Sequence, residues 1–417
     1  MTETTFVRPE FSFSGAIPPS KSLLIRQLLL ALHLRAKLPR FSSRCDDVLA
    51  MHAACQAFAQ GERHIDCGEA GLVFRLCVGY AACRGGDFVL TGSPRLLARP
   101  HAPLLSALQS LGVECLPCTD GPKPGLRVSG QTLQKPPGPI SLVGSESSQF
   151  ATSLLLNAWH LPFPLEIVCE KEPVSQGYLA LSRELACRHG MQLDTQVDAQ
   201  RMVLSVPARQ TPRGPEQGVL FSEEADVSSA FAVAGLAAVG GRCHITNYPR
   251  HTLQPDHLFV DLLRQMGVPI QLGEDGLYVE QAAKLRPLHV CLAGAPDLTP
   301  VLAVLCSLAD GETVLFGAPH LRGKESDRIA TTCSLLQSLG RQCIGTPDGM
   351  RIYGKPLTVA DREQPKHFDA TGDHRLVMAA KVAEWAGFPL QISGLRAVRK
   401  SFPELLDIAA LPTNVTV

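Results

Sequence analysis

A helix, a glycine that ends it and a short β-hairpin recur along the chain. The apolar-periodic runs that predict these helices end at Gly112, Gly190, Gly267 and Gly340. Glycine at this position permits the left-handed turn that ends a helix. Three of the predicted hairpins contain an Asp-Gly pair, which suits a tight turn: Asp120-Gly121, Asp275-Gly276 and Asp348-Gly349. The glycines lie roughly 75 residues apart, a spacing that predicts stacked or symmetric units.

Six further apolar helices are predicted to begin at a small polar or charged cluster, and a β-rich run follows several of them. The clusters are Lys21-Ser22, Glu69-Ala70-Gly71, Ser147-Ser148-Gln149, Asp226-Val227-Ser228-Ser229, Asp297-Leu298-Thr299-Pro300 and Asp373-His374-Arg375. The predicted unit is therefore helix, strand, helix, hairpin, about six times over. Helix capping explains any one cluster. Six in register favour an anion site, because helix N-termini offer free N–H groups and a positive dipole end.

Composition narrows the class of protein. The 417 residues are 45% hydrophobic and 19% charged, which is typical of a globular protein with two or more cores. Basic and acidic residues both total 39, so we expect no nucleic-acid or membrane partner. The N-terminus lacks a secretory pattern and no apolar stretch is long enough to span a bilayer, which predicts a cytoplasmic protein.

The cysteines do not indicate a metal site or a disulfide framework. There are 14 of them, scattered singly apart from Cys115-Leu-Pro-Cys118. That pair has no partner pair or nearby histidine with which to complete a zinc site. We interpret the cysteines as mostly reduced, buried thiols and expect no metal.

Two segments concentrate charge beside apolar helices. Lys21, Ser22 and Arg26 meet at one helix start, and Ser22 and Arg26 share a helix face at i,i+4 spacing. The segment from His320 to Arg328 places a lysine, a glutamate and two arginines in one loop and turn. Such a mixture can hold an anion and move a proton. It differs from a phosphate-binding P-loop, because its first glycine is out of place and Glu325 stands where Ser or Thr should be.

Taken together, these segments resemble the enolpyruvyl transferases, and within them the 5-enolpyruvylshikimate-3-phosphate synthases, over nearly the whole chain. The motifs that carry the resemblance are Pro-Pro-Ser20-Lys21-Ser22 with Arg26, Ala98-Arg99-Pro100, Ser145-Glu-Ser147-Ser148-Gln149-Phe150, Asp226 with Ser228-Ser229, Pro296-Asp297, Leu321-Arg-Gly-Lys324-Glu325-Ser-Asp-Arg328, Asp373-His374-Arg375 and Arg399-Lys400-Ser-Phe-Pro403.

The resemblance implies a two-domain inside-out α/β barrel with three repeats per domain, parallel helices inside and sheets outside. One domain would comprise residues 20–224, and the other residues 1–19 with 225–417. The active site would lie in the cleft between them, so domain closure on the ligands is expected.

The resemblance also implies a reaction. The enolpyruvyl group of phosphoenolpyruvate would pass to the 5-hydroxyl of shikimate 3-phosphate with release of phosphate, as in aromatic amino acid biosynthesis, in a monomer without a cofactor. Asp297 would accept the proton of the attacking hydroxyl, while Glu325 and Lys21 would manage the proton at the methylene carbon. Phosphoenolpyruvate would be bound by Lys21, Gly71, Arg99, Gln149, Arg328, Arg375 and Lys400. Shikimate 3-phosphate would be bound by Lys21, Ser22, Arg26, Ser147, Ser148, Gln149, Ser175, Tyr178, Asp297, His320 and Lys324.

One helix start departs from the family pattern. Glu69 and Leu72 stand where the family usually has Asn and Thr. A carboxylate at Glu69 should repel a bound phosphate unless it is turned away, protonated or paired with a cation. A homologue with a different hydroxyl acceptor would fit these changes and stays open as an alternative. A non-catalytic ligand-binding scaffold is the alternative from a different class, and the retention of Asp297, Glu325 and Lys400 argues against it. The sister enzymes acting on UDP-N-acetylglucosamine are disfavoured, because the loop from Gly92 to Ala98 lacks their cysteine.

Overall fold

The structure, a computed structural model, describes residues 10–39, 43–119, 123–143, 147–170, 175–198, 201–214 and 220–411. The predicted turn at Asp120-Gly121 and the motif residue Ser145 lie outside this part of the chain. The chain forms two compact units. The first unit comprises Ser20–Ser222 with Leu253–Pro255, and the second comprises Met1–Pro19, Glu223–Thr252 and Asp256–Val417.

The elements alternate between helix and strand in both units. The strands are β1 Phe11–Gly15, β2 His64–Asp66, β3 Gly86–Thr91, β4 Glu114–Cys118, β5 Gly125–Gly130, β6 Ile140–Val143, β7 Leu165–Glu170, β8 Asp194–Val197, β9 Arg201–Val206, β10 Gly241–Ile245, β11 Ile270–Leu272, β12 Leu277–Glu280, β13 His289–Cys291, β14 Gly311–Phe316, β15 Gln342–Thr346, β16 Gly349–Gly354, β17 Lys366–Asp369 and β18 Leu390–Ser393. The α-helices are α1 Lys21–His33, α2 Asp46–Gln60, α3 Gly71–Arg84, α4 Pro94–Leu97, α5 Ala102–Ser110, α6 Ser148–Leu156, α7 Gln176–Arg188, α8 Val227–Gly240, α9 Phe259–Gln265, α10 Thr299–Ser307, α11 Arg328–Ser338, α12 Val359–Glu363, α13 His374–Ala386 and α14 Leu405–Ile408. Short 3₁₀ helices span Pro255–Leu258, Pro296–Leu298, Pro319–Gly323 and Leu395–Lys400.

Four sheets share one topology. Their strand orders are β2-β3-β5-β4 and β6-β7-β9-β8 in the first unit, and β1-β10-β12-β11 and β13-β14-β16-β15 in the second. In each sheet the first two strands are parallel, with Ile65 opposite Leu90 in the first of them, and the last two form an antiparallel hairpin. A parallel pair requires a crossover connection, and α3, α6 or α10 provides it in three of the sheets. Between β1 and β10 the chain passes through the first unit before it forms α8.

Four repeats, one for each of these sheets, contain the complete pattern predicted from the sequence. The other two repeats are shorter. In the first shorter repeat, α1 is followed by α2, so within the described residues this repeat begins with two consecutive helices. The last repeat has the parallel pair of β17 and β18 with α13 between them in the chain, and it then continues into a 3₁₀ helix and α14. The helix-ending glycines are confirmed: Gly112, Gly190, Gly267 and Gly340 have φ values of +80, +90, +85 and +72°.

The six helices predicted to begin at polar clusters are the central helices of the two units. In the first unit α1, α3 and α6 contact one another, and in the second unit α8, α10 and α13 do so. Strands of the surrounding sheets pack against them. Helix α8 consists almost entirely of buried small and apolar residues, as a helix surrounded by protein should. Each unit therefore has its own hydrophobic core around three helices.

Small side chains set how closely these helices approach. A Cβ atom on Gly79 of α3 would lie 2.4 Å from Ser153 Oγ of α6, closer than real contacts allow. Ser153 Oγ instead donates to the carbonyl oxygen of Arg75 at 2.6 Å. Helices α3 and α6 are thereby held side by side.

No helix among the described residues is long and apolar enough to cross a membrane.

Candidate active site

The start of α1 presents a cation that is paired with a carboxylate. Ser20 caps the helix, because its side chain accepts a hydrogen bond from the N–H of Leu23. Lys21 Nζ lies 3.0 Å from Asp47 Oδ2 on α2, and the two side chains are only 15% and 14% exposed. Asp47 was missed by sequence reasoning, because nothing in its local sequence sets it apart from an ordinary acidic first turn of a helix.

The start of α3 leaves room for an arginine. A Cβ atom on Gly71 would lie 2.6 Å from Arg99 Nη1, so the guanidinium rests directly against this glycine. Gly71 is the first residue of the helix, where backbone N–H groups lack partners within the helix. An arginine beside free N–H groups makes this helix start suitable for an anion. The neighbouring Glu69 is exposed to solvent.

Arg75 holds several predicted site segments in place. Its Nη1 donates to Gln149 Oε1 at 2.5 Å, and its Nη2 donates to the carbonyl oxygen of Pro100 at 3.0 Å. The guanidinium carbon also lies 4.9 Å from the centre of the Phe150 ring. Arg75 is 2% exposed and was not among the predicted site residues. It joins α3 to the loop after Arg99 and to the start of α6.

Arg26 is buried and links α1 to α7. Its Nε donates to Ser182 Oγ at 2.8 Å, its Nη1 to the carbonyl oxygen of Ser22 at 2.8 Å and its Nη2 to that of Tyr178 at 3.2 Å. The predicted shared helix face of Ser22 and Arg26 is confirmed. Burial lowers the pKa of Arg26 to about 10, and Tyr178 opposes this only in part. An anion bound nearby would favour the charged form of Arg26 and raise its pKa again.

Serine residues occupy the starts of α6 and α7. Ser147 caps α6 by accepting a hydrogen bond from the N–H of Gln149, and Ser148 is buried. Ser175, the residue before α7, has a φ of +60°, which is uncommon for a residue other than glycine. Such backbone strain is found preferentially at functional sites. Its carbonyl oxygen accepts from the N–H of Tyr178, which places both predicted ligands in one turn.

In the second unit, Arg328 is surrounded by three carboxylates. Its Nη1 lies 2.8 Å from Asp297 Oδ1, its Nη2 lies 2.8 Å from Glu325 Oε2 and its Nε lies 2.8 Å from Asp373 Oδ2. Arg375 Nη2 lies 2.9 Å from the other oxygen of Asp297. The two predicted acid/base residues and the two predicted carboxylate-binding arginines thus form one hydrogen-bonded network.

The charges in this network perturb one another strongly. Burial alone would raise the pKa of the Asp297 carboxyl, but Arg375, Arg328 and Lys324 hold it well below its usual range. Burial likewise opposes the charge of Arg328, but Asp373, Glu325 and Asp297 raise its pKa well above the usual range. Asp297 is therefore an anion at neutral pH, and 20% of its side chain remains exposed.

Capping residues fix the positions of the two arginines. Asp327 caps α11 by accepting from the N–H of Ala330, and Asp373 caps α13 by accepting from the N–H of Arg375. Asp373 also accepts from the side chains of Arg328 and Ser326. The interpretation of the cluster as a helix cap is thus correct for Asp373, which at the same time orients Arg328.

His320 and Lys400 also belong to the second unit. Burial, with Lys324 adding to the effect, lowers the pKa of His320 to about 3, so His320 is neutral. Lys400 is 7% exposed and ends the 3₁₀ helix that packs on α13, the helix that carries Arg375. The structure thus brings Asp297, Glu325, Arg328 and Arg375 together in the second unit, and Gly71 and Arg99 together in the first. Their roles toward substrates stay predictions.

Solved structures of enolpyruvyl transferases share this fold. The structure is similar to that of EPSP synthase from Acinetobacter baumannii, with a TM-score of 0.71 and 20% identity over 97% of this chain and 96% of that one. It is also similar to the enolpyruvyl transferase NikO from Streptomyces tendae, with a TM-score of 0.69 and 16% identity over 97% and 95% of the two chains.

Sequence comparison identifies the family. The model of the family described as EPSP synthase (3-phosphoshikimate 1-carboxyvinyltransferase) matches residues 16–408. The 3-phosphoshikimate 1-carboxyvinyltransferase of Methanoculleus marisnigri is 32% identical over 410 residues, covering 93% of each chain. That of Methanothermobacter thermautotrophicus is 33% identical over 385 residues, covering 87% of each. The chain belongs to the EPSP synthase family.

Proposed function

We propose that this protein transfers the enolpyruvyl group of phosphoenolpyruvate to the 5-hydroxyl of shikimate 3-phosphate and releases phosphate. Family membership supports the reaction. The single structural observation that carries the proposal is the Asp297 carboxylate held between Arg328 and Arg375. It combines a proton acceptor with two groups that bind a carboxylate, and this reaction needs both.

The donor binds through its two anionic ends. Lys21, Arg99 and Gln149 hold its phosphate, and Arg328, Arg375 and Lys400 hold its carboxylate. The free N–H groups beside Gly71 at the start of α3 support the first set. The planar guanidinium groups of Arg328 and Arg375 support the second, because they match a carboxylate in geometry.

The acceptor binds mainly to the starts of α6 and α7. Ser147, Ser148, Ser175 and Lys324 hold its phosphate, while Arg26, Gln149 and Tyr178 lie along its ring. The buried Arg26, which hydrogen-bonds to the backbone of Ser22 and Tyr178, supports this placement because it fixes α1 against α7.

Binding of the donor activates the base. Without ligands, Arg328 and Arg375 neutralise Asp297 and lower its proton affinity. A substrate carboxylate on the same two arginines competes for their positive charge, so the proton affinity of Asp297 rises. Asp297 therefore becomes an effective base only when the donor is in place.

The chemistry proceeds by addition and elimination. The acceptor oxygen forms a bond to the second carbon of the donor as its hydroxyl proton passes to Asp297, and the methylene carbon gains a proton from Glu325 with the assistance of Lys21. In the second step that methyl carbon returns a proton to Glu325, the bond to the phosphate oxygen breaks, and the proton on Asp297 leaves with the phosphate. The enol ether is thereby restored, Asp297 returns to a carboxylate, and Glu325 returns to the protonated form from which it started.

We also propose that both units act on the same pair of substrates. Residues from both units are assigned to each ligand above, which supports this proposal. The two units must then close around the ligands when these bind. Small-angle scattering should then show a smaller radius of gyration with both ligands, and an unchanged radius would contradict closure. We further expect a monomer in the cytoplasm, where the free thiols of the 14 cysteines would be maintained.

Phosphate release tests the proposed function. Purified protein is mixed with phosphoenolpyruvate and shikimate 3-phosphate, and each substrate is omitted in turn. The proposal requires release that depends on both substrates, together with a product whose mass equals their sum less phosphate. Folded protein that releases no phosphate from this pair would refute the acceptor assignment.

A further inference from the structure

A second carboxyl group that interacts electrostatically with Asp297 is buried in the second unit. Asp256 belongs to the 3₁₀ helix Pro255–Leu258 and is 1% exposed. The Ser228 hydroxyl at the start of α8 donates a short hydrogen bond to Asp256 Oδ2. Within the described part of the chain, Asp256 Oδ1 has no hydrogen-bond partner. A buried carboxyl with one unpartnered oxygen is costly to keep and calls for a physical explanation.

The charged groups around Asp256 come from three other elements. Asp297 on the 3₁₀ helix Pro296–Leu298 and Asp226 at the cap of α8 disfavour its ionisation, whereas Arg375 on α13 favours it. On its own 3₁₀ helix, the neighbouring His257 is hydrogen-bonded through Nδ1 to the Tyr248 hydroxyl at 2.9 Å. Asp256 and Asp297 thus face the same arginine, and their negative charges interact.

The two carboxyl groups are affected in opposite directions. Burial, followed by the charge of Asp297, raises the pKa of Asp256 to about 7. Asp297 is directly paired with two arginines, which lower its pKa. Interacting carboxyls whose proton affinities are separated in this way commonly mark an acid and a base at a reaction centre. Asp256 is absent from the residues assigned above.

We infer that Asp256 is a positioning residue for this reaction, a buried second carboxyl whose charge sets how strongly Asp297 attracts the proton of the attacking hydroxyl. The inference rests on the function proposed above. When Asp256 carries a proton, Asp297 is the weaker base. When Asp256 is ionised, its negative charge partly offsets Arg375, and Asp297 becomes the stronger base.

The sign of the pH dependence follows. Asp256 ionises as the pH rises through neutrality, so kcat at saturating substrates should rise between about pH 6 and about pH 8. Asn in place of Asp256 resembles the protonated form at every pH. The Asp256→Asn variant should match the wild type near the lower end of this range and fall about tenfold below it at the upper end.

A second variant separates tuning from folding. The hydrogen bond from Ser228 lowers the pKa of Asp256, so Ser228→Ala should move the rise in kcat to higher pH without removing it. Asp310→Asn is the matched control, because the Asp310 side chain is 62% exposed and its loss should leave the profile unchanged. A decrease in kcat by the same factor at every pH, or a Ser228→Ala profile that does not shift, would overturn the inference.

An NMR titration tests, independently of turnover, whether Asp256 ionises near neutral pH. Aspartate labelled at the side-chain carboxyl carbon should give one resonance that titrates near neutral pH in the wild type without substrates and is missing in Asp256→Asn. If no such resonance exists, the inference is refuted, whatever the enzyme turns over. If it exists but the wild type releases no phosphate from the two substrates, the proposed function is what fails.

Discussion

Gly71→Ala should damage donor binding without destabilising the protein. The new Cβ would lie 2.6 Å from Arg99 Nη1, whereas ordinary contacts begin at 3.4 Å, so the guanidinium must retreat by about 1 Å. A charge-assisted hydrogen bond contributes roughly 1.5–3 kcal/mol. Loss of one bond to the donor phosphate should therefore raise the KM for phosphoenolpyruvate about 10- to 100-fold. Alanine is a better helix former than glycine, so thermal stability should stay constant or rise slightly.

The assay is steady-state phosphate release with the donor varied, alongside a thermal melt. Gly138→Ala is a suitable control, because a Cβ there meets nothing within 4 Å. It should leave the KM unchanged. A folded Gly71→Ala variant that keeps the wild-type KM for phosphoenolpyruvate would show that Arg99 does not bind this substrate. A fall in the melting temperature would instead show that the glycine is needed for packing.

Two further predictions concern stability. Gly79→Ala should lower the free energy of unfolding by about 1–3 kcal/mol in urea titration, because its Cβ would meet Ser153 at 2.4 Å; an unchanged midpoint would contradict the close helix contact. Asp361→Asn should cost about 3–5 kcal/mol at neutral pH, because it leaves the fully buried Arg341 unpaired. Arg341 lowers the pKa of Asp361, so the stability difference should be complete above the unfolded pKa of about 4 and shrink as the pH falls below it. A constant difference across that range would refute the ion pair.

Much of the fold could be predicted because the repeat has a local cause. Gly112, Gly190, Gly267 and Gly340 each adopt the left-handed conformation that the sequence predicted. The six central helices begin where polar clusters interrupt apolar runs. The shorter repeats could not be predicted. In the first of them, nothing in the local sequence of α2 indicates that it packs beside α1.

Motifs in the sequence predicted the central residues of the candidate site, but not the residues that hold them in place. The network of Asp297, Glu325, Arg328 and Arg375 contains only residues that motif matching had selected. Arg75 and Asp256 were missed as site residues. Both act through neighbours more than 25 residues away in sequence, and local sequence does not register such contacts. Their isolated charges within buried segments were the one available signal.

The most direct test of the central claim is turnover by Asp297→Asn, measured with binding of shikimate 3-phosphate to the same preparation. Asparagine keeps the shape of the side chain but cannot accept the hydroxyl proton as a carboxylate does. The account predicts that kcat falls by about 100-fold or more, with the Kd of shikimate 3-phosphate changed by no more than a few-fold. A folded variant whose kcat stays within about tenfold of the wild type would contradict the assignment of Asp297 as the base.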